Sequence, residues 1–166
     1  MQKFWNEWKW WILAGFAVLI LGLILRLINL TILPVFADEA IYIRWSQIMS
    51  SEPTLRFLPL SDGKQPLFMW ILMFFVKRMS DPLFAGRLLS AFSGVVSMIG
   101  LIFLTYYIFK SKLSALIVSL LWALSPLTLF FDRMALVDSL LTCLGIWTLL
   151  LSLILASSLR LDMAMI

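Results

Sequence analysis

The sequence contains no histidine among its 166 residues and only one cysteine, Cys143. Without histidine, a Ser-His-Asp triad, a His general base and a His-rich zinc site are all excluded within this chain. A single cysteine allows no intrachain disulfide, and its place inside an apolar run points to a buried packing role. Charge is scarce as well, at 13% of residues against 63% hydrophobic. With a mean hydropathy of +1.02, no soluble domain could hide so much apolar surface, so the chain reads as an integral membrane protein. Its 13 cationic and 9 acidic side chains leave a net charge of +4. The basic residues are scattered between apolar runs, which fits membrane topology and argues against a nucleic-acid partner.

Long uncharged runs set the expected architecture. Lys3 and Lys9 among Trp5, Trp8, Trp10 and Trp11 form the amphipathic belt of a helix entering from the cytoplasmic side. Val35-Phe36-Ala37 makes a poor cleavage site, so the first apolar run reads as an uncleaved span over residues 11–33, ended by Pro34. Further spans are expected over 88–109, 113–131 and 139–159, with 22, 19 and 21 uncharged residues. Gly86, Gly94, Gly100 and Gly145 sit among small residues that would let helices approach closely. The first outer loop, 34–87, holds most of the polar sequence. Ala40, Ile41, Ile43, Trp45, Ile48 and Met49 recur at helical spacing there, which predicts a short interfacial helix. Residues 65–76 form a second apolar stretch, too short at roughly 18 Å to cross a hydrocarbon core of about 30 Å. It reads as interfacial or re-entrant. The expected fold is thus an all-α, polytopic bundle of about four transmembrane helices. If 65–76 did cross, Asp132, Arg133 and Asp138 would face the side opposite Asp38.

The candidate chemistry is acidic and cationic. Asp38 and Glu39 follow the first span; Lys64, Arg87, Arg133 and Asp138 come later, the last opening an apolar run. Plain alternatives exist for each: solvated interface acids for Asp38 and Glu39, a snorkelling side chain for Arg87, and a structural Arg133–Asp138 ion pair. A carboxylate beside cationic groups at a membrane surface suits group transfer from a lipid-linked phosphate. The carboxylate takes a proton from an acceptor hydroxyl, and the cations neutralise the leaving phosphate.

Four motifs in order carry a resemblance: Asp38-Glu39 after the first span, Gly63-Lys64-Gln65-Pro66-Leu67-Phe68, Ala85-Gly86-Arg87-Leu88-Leu89-Ser90, and Ser125-Pro126 followed by Asp132-Arg133-Met134-Ala135-Leu136-Val137-Asp138. Together they resemble the N-terminal part of GT-C membrane glycosyltransferases of the protein O-mannosyltransferase and aminoarabinose-transferase type. The resemblance covers nearly the whole chain from about Phe4. It implies Asp38 as catalytic base with Glu39 beside it, Lys64, Arg87 and Arg133 at the donor phosphate, and Asp138 in support. It also implies a polyprenyl-phosphate sugar as donor, inversion at the anomeric carbon, and a hydroxyl acceptor on a lipid, polysaccharide or protein. The active face would be extracytoplasmic, in a multi-pass protein of the plasma or inner membrane. It fixes no cofactor; some relatives use a divalent metal, for which Asp38 and Glu39 are the candidate ligands. Gln65-Pro66 stands where relatives often have two prolines, which leaves the subfamily open. The family has roughly twice or more this number of spans, so the chain is expected to be an N-terminal portion. The rival expectation is a non-catalytic polytopic membrane protein or a transporter fragment, whose acids would lie near the midplane on broken helices.

Overall fold

The computed structural model describes residues 2–157, with side chains described from residue 8 onward. The described chain is helical throughout, in seven α-helices and two short 3-10 turns, with no strand among these residues. The helices are α1 (Gln2–Leu27), α2 (Ala37–Ser51), α3 (Leu67–Val76), α4 (Pro82–Phe109), α5 (Lys112–Leu124), α6 (Pro126–Asp132) and α7 (Val137–Ser157). Helices α1, α4 and α7 are long and apolar enough to cross a membrane, and α5 with α6 would make a fourth crossing, bent by 62°. The protein is thus a multi-pass helical bundle. Helix α3 has only 10 residues, about 15 Å, half of a hydrocarbon core of about 30 Å.

Helix α4 is the organising element. Of its apolar window 56% is buried within the bundle, against 11% for α1 and 17% for α7, which leave most of their apolar surface outside it. Asp81 starts α4 by accepting a hydrogen bond from the Leu83 N–H at 2.9 Å, and Pro82 takes the first helical position. Gly94, halfway along, leaves room for a buried ion pair: a Cβ there would fall on the Asp132 carboxylate and 2.8 Å from Arg26 Nε. Gly86 and Gly100 likewise sit against other helices, whereas Gly145 has nothing within 4 Å and packs against no neighbour.

Two expected spans differ from the structure. The first helix ends at Leu27 rather than at 33, because Asn29 adopts a left-handed conformation, φ 49°, that a right-handed helix cannot continue through. The segment 113–131 is a broken element. Pro126 has no N–H to donate and holds Ser125 extended, at φ −61° and ψ 123°, so the chain turns at that residue. Thr128 Oγ1 donates to the Trp122 carbonyl at 2.7 Å, serving one of the acceptors freed by the break. The expected end of the last span, 159, lies outside the described residues.

The ends of several elements meet. Arg87, near the start of α4, binds carbonyls just past α1, and Glu39 at the start of α2 accepts from the Ala135 N–H just past α6. The end of α1, the start of α4 and the turn at residues 133–136 therefore share one end of the bundle. Asp38 and Asp138 belong to that same end, as the four-span reading expects.

Candidate functional site

The loop between α1 and α4 folds back as α2, two 3-10 turns and α3, and this platform positions the acidic pair. Helix α2 turns Glu39, Tyr42, Ile43, Ser46 and Met49 inward at helical spacing, against Phe68, Met69 and Leu72 of α3. Asp38, one residue from Glu39, points the other way. The two neighbouring carboxylates consequently enter different environments.

Glu39 is fully buried and paired with Arg87, also fully buried, through Oε2 at 2.9 Å. Its Oε1 accepts from Arg87 Nε at 2.9 Å and from the Ala135 N–H at 2.6 Å, and Oε2 accepts from the Phe36 N–H at 3.0 Å. Arg87 gives its remaining donors to the carbonyls of Leu30, Leu33 and Pro34, at 3.0, 3.0 and 3.1 Å. All five guanidinium donors and both carboxylate oxygens are thus committed. Burial by itself pushes the Glu39 carboxyl up, but hydrogen bonds from Arg87, Ala135 and Phe36, with the Arg87 charge, outweigh it and hold the group below its ordinary value. In this arrangement Arg87 has no donor left for a phosphate, and Glu39 has no lone pair left for a metal. Arg87 also differs from a snorkelling side chain, since it is directed inward.

Asp38 and Lys64 form a partly exposed pair, Oδ1 to Nζ 3.4 Å, with side chains 45% and 31% exposed. Lys64 follows Gly63, whose left-handed φ of 69° closes the second 3-10 turn and aims the lysine back over α2. Its ammonium lies 4.9 Å from the centre of the Tyr42 ring and 5.9 Å from that of Trp45. Desolvation by these rings lowers the Lys64 pKa, but Tyr42 and the Asp38 charge outweigh it and hold the ammonium above its ordinary value. Tyr42, Lys64 and Gln65 stand at one end of an apolar groove of about 260 Å³ between the platform and α7, lined further by Phe68, Leu140 and Leu144. The lysine, its carboxylate and the groove form the candidate site.

The remaining expected residues lie elsewhere. Arg133 does not pair with Asp138: it donates to the carbonyls of Ile28 at 2.8 Å and Asn29 at 3.0 Å, with a longer contact to Leu25 at 3.4 Å. It therefore caps the C-terminus of α1, where orphan carbonyls and the helix dipole favour a cation. Asp138 opens α7 and faces a separate cavity of about 290 Å³ with Trp122, Thr128, Asp132, Ser139 and Thr142. The first turns of α7 thus divide the Lys64 groove from the Asp138 cavity. A buried pair absent from the expected site, Arg26 and Asp132, joins α1 to α6 at 2.8 Å. The signal for it was a lone arginine deep in an apolar run, which calls for a partner. Tyr42 was also missed, although its position one turn after Asp38 places it on the same stretch of α2.

Among the described residues no three His, Cys, Asp or Glu side chains approach closely enough to hold a metal ion. With Glu39 committed to Arg87, Asp38 alone does not make a divalent-cation site, so the donor set does not fit the metal that some resembling proteins use. No family model, curated protein or solved structure matches the chain.

Proposed function

We propose that the chain is the N-terminal transmembrane module of a GT-C-like glycosyltransferase, moving a sugar from a polyprenyl-phosphate donor to a hydroxyl acceptor on the extracytoplasmic side. The observation that carries this reading is the Asp38–Lys64 pair at the end of an apolar groove, a charged head beside a seat for a hydrocarbon chain. Lys64 holds the donor phosphate and neutralises charge as the leaving group departs. Asp38 takes the acceptor's proton as its oxygen bonds to the anomeric carbon, and the bond from that carbon to the phosphate oxygen breaks. The products are the glycosylated acceptor, a polyprenyl phosphate and a protonated Asp38. Glu39 and Arg87 act as positioning residues for the start of α2, and Arg133 as a positioning residue for the end of α1.

The experiment is sugar transfer by the full-length protein carrying Asp38→Asn. Transfer is expected to fall to background while expression and folding persist. Retained activity overturns the assignment of the base. A second reading, a non-catalytic polytopic protein or transporter fragment, is favoured by one feature: the broken α5–α6 pair ends in the buried acid Asp132. Arg26 neutralises that acid, which weakens it as an ion-coupling group. Uptake that follows Asp132→Asn while Asp38→Asn leaves it unchanged would support the transporter.

A further inference from the structure

The cavity of about 290 Å³ beside Asp138 is walled by polar groups that the fold leaves unserved. Trp122 Nε1 lies on its α5 side, buried and without a hydrogen-bond partner, and an indole N–H can only donate. Ser139, only 3% exposed on the α7 side, stands beside the Asp132 carboxyl, yet its Oγ makes no hydrogen bond either. Buried polar groups are rarely left so, and two around one cavity point to an acceptor that enters it. The acidic side of the cavity is equally uneven. Asp132 has its charge balanced by Arg26, whose guanidinium lies 2.8 Å from Oδ2. Thr128 spends its hydroxyl proton on the Trp122 and Ser125 carbonyls, at 2.7 and 3.1 Å, so towards a ligand it can only accept. Asp138 is exposed and joins no ion pair among the described residues. The cavity therefore carries one unbalanced negative charge, at Asp138, together with two donors that lack acceptors. Water serves the donors but not the charge, and an anion is repelled by Asp138.

We propose that this cavity binds a primary ammonium group with a hydrogen-bond-accepting oxygen close by, supplied by the headgroup of an ethanolamine phospholipid. The ammonium donates to Asp138 and Thr128, and the oxygen accepts from Trp122 Nε1 and Ser139 Oγ. The rings of Trp122 and Phe131 add faces on which a cation rests. The mouth of the cavity favours a lipid over a soluble amine. Leu127 lines it while 68% exposed, and belongs to the bent α5–α6 pair, which is long and apolar enough for a membrane crossing. An acyl chain leaving the headgroup therefore meets apolar surface. The site shares no residue with the Lys64 groove and does not depend on sugar transfer.

The test is native mass spectrometry of the delipidated 166-residue chain after exposure to equal amounts of phosphatidylethanolamine and phosphatidylcholine with the same acyl chains. The two headgroups carry equal charge, but the trimethylated one has no N–H to donate. One phosphatidylethanolamine per chain is expected, preferred about tenfold, the scale of one hydrogen bond to a charged group. Asp138→Asn should abolish the preference. Trp122→Phe keeps an aromatic ring but removes the N–H, and should lower retention of both lipids alike. Helicity by circular dichroism checks that both variants fold. Equal retention of the two lipids by the unaltered chain overturns the ammonium assignment, as does an undiminished preference in folded Asp138→Asn. Unchanged retention by folded Trp122→Phe overturns the place given to the oxygen. Free O-phosphoethanolamine retained as firmly as the lipid overturns the lipid source.

Discussion

Asp38 and Glu39 are adjacent in sequence and opposite in circumstance. Glu39 enters the bundle and, with Arg87, binds five backbone groups drawn from two connections of the fold, α1–α2 and α6–α7. Asp38 stays at the surface with a single lysine 3.4 Å away, beside the apolar groove that this lysine lines. One carboxylate is saturated and fixes architecture; its neighbour keeps lone pairs available. A helix makes this possible because successive residues are about 100° apart around its axis, so one turn of α2 serves both purposes.

The most forceful way to break the comparison is to remove one member of the saturated pair. Glu39→Ala or Arg87→Ala leaves a buried charge uncompensated and should cost about 3–5 kcal/mol, read as a large fall in the thermal midpoint of the detergent-solubilised chain. Restoring neutrality with Glu39→Ala and Arg87→Met together should recover only part of the loss, because the carbonyls of Leu30, Leu33 and Pro34 stay unpaired. Gly94→Ala strikes the other buried pair. Its Cβ meets the Asp132 carboxylate, so about 1–3 kcal/mol of destabilisation is expected in the same melt. Arg133→Gln uncaps α1 and should cost about 1 kcal/mol.

Acid sharpens the contrast further. The folded Glu39 carboxyl titrates below its ordinary value of 4.5, so its stabilising contribution is complete above that pH and is lost as pH falls through the folded value. Melts recorded from neutrality down should show a decline below about pH 5 that Glu39→Gln makes shallower. The smallest effect belongs to the exposed pair. Asp38→Asn or Lys64→Gln should change the melt by at most about 1 kcal/mol, even where transfer is abolished. A larger shift would mean that Asp38 is structural like its neighbour.

Hydropathy and periodicity were enough to read the helical class, the presence of a helix at α2 and the shortness of α3, because each depends on local sequence. The end of α1 was not legible: residues 28–33 are apolar enough to continue a span, and only Asn29 in a left-handed conformation stops it. The fracture at Ser125-Pro126 was visible as a motif, but uncharged length concealed it as a break. Partner choice was the least legible feature. Arg26 finds Asp132 across 106 positions, and Arg133 prefers the carbonyls of α1 to the acid five residues away. Sequence spacing carries no information about such distant or backbone partners.

The Arg87 clasp also has a temporal consequence. Its acceptors at Leu30, Leu33, Pro34 and Glu39 precede it by 57, 54, 53 and 48 residues. During synthesis these groups therefore leave the ribosome well before the guanidinium that will satisfy them. The link between α1 and α2 emerges with polar groups still hydrated, and it can lock into place only once α4 has entered the membrane. The Ala135 N–H arrives later again, 96 residues after Glu39. The carboxylate that closes the architecture is thus fully bonded only after α5 and α6 have been made.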